Sequence, residues 1–161
     1  MPALDHETLD ALLPLAYEWA KNLEEFALAH GNRLGASHTA DARLAGVKDC
    51  DSVRVLVVDR IPFPENPALA EAARRVRIIT DDTRCMGFGY ALFIRVDAWN
   101  DRELILHNLV HIAQCERAGG LENWVHDYLC NRTTCADFTV GSLEEEARRL
   151  AHQISTASVP A

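Results

Sequence analysis

No stretch of this chain is basic enough to track a phosphate backbone. Its Lys and Arg residues form no run longer than the pairs Arg74/Arg75 and Arg148/Arg149, and the net charge is -8. Nucleic acid is therefore not expected as a partner. No apolar run reaches membrane-spanning length, and the opening MPALDHETLDALL is acidic where a secretory leader would be positively charged. The expectation is a cytoplasmic protein with no membrane partner. A CxxC pair is missing too, and Cys50, Cys85, Cys115, Cys130 and Cys135 are odd in number. That fits free thiols in a reducing compartment and argues against a disulfide framework. Internal repeats and low-complexity stretches are also lacking, as is the strong compositional bias of disordered, collagen-like or disulfide-scaffold chains.

What is present is the composition of an ordinary globular chain: 161 residues, 48% hydrophobic and 25% charged. That length buries a core without disulfide or metal staples. One domain is expected over residues 1–154, followed by a flexible tail over 155–161.

Hydrophobic spacing supplies the elements. Apolar residues recur every three or four positions from Glu7 to His30, a helical stripe that Pro14 is expected to kink or divide and that Gly31 and Asn32 stop. A shorter helix is expected over Ser37–Ala45 before Gly46. The β-branched run Val53–Asp59 reads as a strand, Ile61–Pro67 as an extended connection, and Ala68–Arg75 as a helix. Val76–Thr80 reads as a short strand and Asp81–Arg84 as a polar turn. Gly87–Val96 is the third strand candidate, an exposed edge whose glycines mark a close approach by another backbone.

Three helices close the chain. The first is expected to be capped by Asn100 with Glu103 and stopped at Gly119 and Gly120. The second carries the stripe Leu121, Trp124, Val125, Tyr128 and Leu129. The third opens on the capping box Ser142/Glu145 and buries Leu143, Ala147, Leu150, Ala151 and Ile154.

The chemistry lies in HNLVH. His107 and His111 stand four apart, so on a helix they occupy one face a turn apart and can bind one metal ion. The spacing alone does not separate a metal pair from packed or solvated histidines. Its context adds weight, because a glycine-bearing strand precedes the pair, a Gly-Gly stop follows it, and a later helix opens with acidic residues. A downstream carboxylate completes metal sites of the His₂Glu class. His126 falls off the apolar face of its helix and reads as solvated, and Tyr90 and Tyr128 fit either a core or a cleft.

LILHNLVHIAQCERAGGLENWVHDYL, followed by SLEEEARRLA, resembles a group of small bacterial zincin-like proteins. These carry HELVH, an aromatic residue, ERLGG and a later L-E-x-E-A. More distantly, the segment is similar to gluzincin peptidases, whose third zinc ligand is a glutamate three residues before an alanine. The resemblance implies an α+β, single zincin-like domain: an N-terminal helix, a small mixed sheet of three or four strands, a metal-site helix and two C-terminal helices. It implies Zn²⁺ held by His107, His111 and Glu144, with Glu146 as the alternative third ligand and Glu145 kept for capping. It also implies a peptide or protein segment bound by strand addition along Gly87, Phe88, Gly89 and Tyr90.

Asn108 departs from that pattern, standing where HExxH enzymes have the glutamate that takes a proton from zinc-bound water. An amide cannot take up that proton, and the loss of such a base costs about 10²- to 10⁴-fold in rate. The expectation is a weak or inactive peptidase or a repurposed metal-site protein. The alternatives are a peptide-binding or protein-binding module without turnover and a structural domain without metal.

Overall fold

Helix α1 (His6–His30) begins where the Asp5 carboxylate accepts the amide of Thr8, and it ends at Gly31. It runs through Pro14 as one helix, so the proline does not set off a first turn. The computed structural model describes residues 4–134 and 142–157. After α1 come β1 (Asn32–Arg33), α2 (Ala36–Ala45), β2 (Arg54–Val58), α3 (Pro67–Arg75), β3 (Cys85–Phe88) and β4 (Ala91–Arg95). The chain then forms α4 (Arg102–Ala118), α5 (Leu121–Thr134) and α6 (Leu143–Thr156). The architecture is α+β, with six α-helices and a mixed four-stranded sheet of order β1-β2-β4-β3 among the described residues.

Strands β2 and β4 pair in parallel, with Val55 opposite Leu92 and Val57 opposite Ile94, whereas β3 and β1 pair antiparallel at the two edges. Strand β4 is buried on both faces, which explains its unbroken apolar run ALFI. Its alternation divides the core. Leu92 and Ile94 pack with Val55 and with Ile105, Leu109 and Ile112 of α4, while Ala91 and Phe93 pack with residues of α1, α3 and α5. Helix α4 therefore lies against the sheet, fully buried along Leu109, Val110 and Ile112, and α6 closes over it through Ala147.

Three expectations are corrected here. Val76–Thr80 is not a strand: the amides of Arg77 and Ile78 donate to the carbonyls of Arg74 and Ala73, so the segment caps α3. Gly87–Val96 is not one strand either, because Gly89 and Tyr90 form a tight turn between β3 and β4. The φ of +58° at Gly89 is where a two-residue hairpin turn favours glycine. Nor is this edge exposed, since Cys85, Gly87 and Phe88 are all buried. The expected close backbone approach is real: a Cβ on Gly87 would lie 2.5 Å from the carbonyl oxygen of Asn108 in α4.

Helix α6 continues to Thr156, so Ser155 and Thr156, expected in a flexible tail, are helical, and residues 158–161 lie outside the described residues. Helix α4 is capped by Asp101, whose carboxylate accepts the amide of Leu104, and not by Asn100. Glu103 instead meets Nδ1 of His152 at 2.8 Å.

Candidate metal centre

Helix α4 holds His107 and His111 one turn apart, their rings edge to face with centroids 4.9 Å apart. His111 is buried, at 5% exposed. Ser142 starts α6 by accepting the amide of Glu145, and this start places Glu144 in the helix's first turn opposite the two histidines. Glu144 Oε1 lies 2.5 Å from His107 Nε2 and 3.5 Å from His111 Nε2. One ligand atom from each of the three residues falls within 4.8 Å of the others. The second carboxylate oxygen accepts the hydroxyl of Tyr128 from α5 at 2.5 Å.

Gln114 fixes the tautomer of His111. Its Nε2 donates to the carbonyl of Leu143 and to Glu146, groups that can only accept. Its Oε1 accepts the indole N–H of Trp124, which can only donate. The amide orientation is thereby settled, so the 2.8 Å contact between His111 Nδ1 and Gln114 Oε1 has the proton on Nδ1. In the neutral imidazole the Nε2 lone pair then faces the Glu144 carboxylate. Two acceptors face each other, and only a positive charge between them makes that arrangement favourable. Burial alone would push the Glu144 carboxyl up, but the interactions with His107 and His111 override it and hold the group well below the usual carboxylate range.

The donor set fits a metal ion. Two imidazole nitrogens and one carboxylate oxygen form the His₂Glu set, and their closeness allows bonds of about 2.0–2.2 Å to one ion after small side-chain adjustments. Gln114, which hydrogen-bonds a ligating histidine through its other nitrogen, is the kind of outer partner metal sites use. It escaped the sequence reading because a neutral amide is not a ligand type. Its position three residues after His111, on the same helix face, was the available signal.

The other acidic candidates have different partners. Glu146 pairs with Arg117 and Gln114, and Glu145 with Arg148. Asn108 is buried between two backbone groups: its Oδ1 accepts the amide of Gly87 at 3.0 Å, and its Nδ2 donates to the carbonyl of Leu104 at 3.0 Å. The residue at the expected base position therefore ties α4 to the edge strand.

A cleft of about 320 Å³ opens beside the three residues, walled by α1, β3, α4 and α5. Gly87 and Phe88 line it, whereas Gly89 and Tyr90 line a separate cavity with Glu24 and Glu116. The reason is local: the amide of Gly89 bonds Cys115 Sγ, the amide of Tyr90 bonds Glu24, and the Tyr90 hydroxyl bonds Glu116. His126 is exposed, as its helix position indicated, and Tyr128 lines the cleft. Cys50, Cys85 and Cys115 are free thiols, and Cys135 lies outside the described residues. Comparison with protein-family models, with curated proteins and with solved structures finds no match to this chain.

Proposed function

We propose that this chain is a zinc-binding protein with a zincin-like metal site, held by His107, His111 and Glu144 and repurposed away from efficient peptide hydrolysis. The observation that carries the reading is the convergence of one ligand atom from each of these three residues within 4.8 Å, with His111 Nε2 turned toward Glu144 by the bond from its Nδ1 to Gln114. A divalent ion supplies the missing positive charge. The ligand set suits Zn²⁺, although Fe, Co, Ni and Cu accept the same donors.

When bound, zinc supplies a Lewis acid and lowers the pKa of its water. The fate of that water's proton then depends on the protein's own groups. The Asn108 amide cannot accept it, and its side chain is already engaged with Gly87 and Leu104. That favours weak turnover or binding without turnover over an efficient peptidase. The competing reading is a structural imidazolium–carboxylate cluster, and the direct 2.5 Å contact between His107 and Glu144 favours it.

Metal analysis separates the two. Protein grown with added zinc and purified without a histidine tag should hold close to one equivalent. His107→Ala, His111→Ala or Glu144→Ala should lose it, whereas Glu145→Ala and Glu146→Ala should retain most of it. Metal-free wild-type protein would leave the structural cluster as the correct reading.

A further inference from the structure

We infer that the cleft beside the metal centre takes a small amphiphile: a monocarboxylate whose head meets the metal and whose hydrocarbon chain fills the apolar wall. This rests on the metal reading above and adds a ligand class to it. Size gives the first argument. The cleft, about 320 Å³, has room for roughly ten non-hydrogen atoms at the ~30 Å³ a water occupies in the liquid, the size of an eight-carbon fatty acid. That lies at the lower end of small-molecule sites, which run from about 300 to 1,000 Å³.

The lining gives the second argument. Trp19, Ile79, Met86, Phe88, Val125 and Leu129 supply apolar wall. Among the described lining residues, ionisable groups are few. With neutral imidazoles, a divalent ion outweighs the negative charge of Glu144, the one carboxylate among the described lining residues, so the cleft favours an anionic head.

Strand β3 gives the third. An extended peptide adds to a sheet edge through free backbone amides and carbonyls. Here Gly87 donates its amide to Asn108, and Cys85, Gly87 and Phe88 are buried. The edge offers a peptide little to pair with, so the metal and the apolar wall are the anchors that remain.

The test is a chain-length series of straight-chain carboxylates, from acetate to dodecanoate, titrated into full-length protein shown to hold one equivalent of zinc. Calorimetry gives the affinities. Tryptophan fluorescence gives an independent signal, because Trp19 and Trp124 line the cleft. Affinity should rise about fourfold per methylene up to about eight carbons and then level off. Chelation of the zinc should weaken octanoate at least tenfold, and octylamine should bind at least tenfold more weakly than octanoate. Met86→Glu, which adds a like charge to the wall, should abolish octanoate binding and leave the zinc in place. Zinc-loaded protein without chain-length dependence would overturn the inference while leaving the metal reading intact. Octanoate binding that ignores zinc, or an extended peptide preferred over octanoate, would overturn it as well. Protein that holds no zinc under any loading would end both.

Discussion

The Nδ1–H of His111 donates to Oε1 of Gln114 across 2.8 Å, and this bond leaves Nε2 as the nitrogen presented to Glu144. Gln114 is 2% exposed and uses its amide on three elements at once: α4, α5 through Trp124, and α6 through Leu143 and Glu146. The histidine is thus positioned by packing between helices as well as by its own helix.

Gln114→Ala should therefore weaken zinc binding by about 10- to 100-fold, the usual effect of losing an outer-shell partner of a ligating histidine. Competition with a chromophoric chelator measures this at constant pH. Gln114→Glu keeps an acceptor for His111 but sets a carboxylate against Glu146 and the Leu143 carbonyl. It should recover part of the affinity at a cost in stability. Unchanged affinity in both variants would mean that His111 does not need this partner.

Asn108 gives a second prediction, since its amide serves one donor and one acceptor of the backbone. Asn108→Ala leaves the buried Gly87 amide and Leu104 carbonyl without this partner and should cost about 1–3 kcal/mol in urea unfolding. Asn108→Glu restores a carboxylate where HExxH enzymes carry their base. A carboxylate can still accept from Gly87, but it cannot donate to Leu104. The expected outcome is lower stability, unchanged zinc content and no gain in hydrolysis of a broad peptide library. A gain of 10²-fold or more would show that the amide alone silences a peptidase.

Much of this fold was legible in the sequence, and the failures share a cause. Helices announced themselves through spacing and caps, as at Ser142 and Gly119, where one residue's chemistry decides the end. His107, His111 and Glu144 could be singled out because their types are metal ligands, and the structure brings their ligand atoms together. What was missed depends on neighbours. Val76–Thr80 has strand-forming residues, yet its amides cap α3. The turn at Gly89 and Tyr90 was hidden because β3 and β4 are both apolar. Gln114 and the engagement of Asn108 become visible only when α6 and β3 lie against α4.

The buried thiols set an alkaline limit on stability. Burial pushes Cys85 up to about 12 and also pushes Cys115 up to about 12, the latter against an opposing hydrogen bond from Gly89, each from an ordinary 9.0. Below about pH 9 both the folded and unfolded forms keep these protons, so the preference for the neutral thiol is fully present. Between about 9 and 12 the unfolded chain loses them while the folded protein keeps them. Each thiol should then subtract about 1.4 kcal/mol of stability per pH unit. Urea unfolding at pH 8 and pH 10.5 measures the slope, and Cys115→Ala should reduce it. Identical slopes in wild type and variant would show that Cys115 ionises as easily folded as unfolded.

Gly87→Ala tests the contact between β3 and the metal helix, which is also one boundary of the cleft. A methyl group at Gly87 would lie 2.5 Å from the Asn108 carbonyl oxygen and 3.0 Å from its Cβ. Backbone of α4 has no rotamer with which to give way, so the strand and the helix must separate. Overpacking of this kind costs about 1–3 kcal/mol, and the displacement would also stretch the 3.0 Å bond from Gly87 to Asn108. Zinc affinity should change little, because α4 and α6 supply all three proposed ligands and β3 supplies none. The expected pattern is a lower urea midpoint, faster hydrogen exchange at the Gly87–Phe88 amides and near-normal metal content. A midpoint equal to wild type would mean that the edge strand is not held against α4 as closely as the 2.5 Å approach requires.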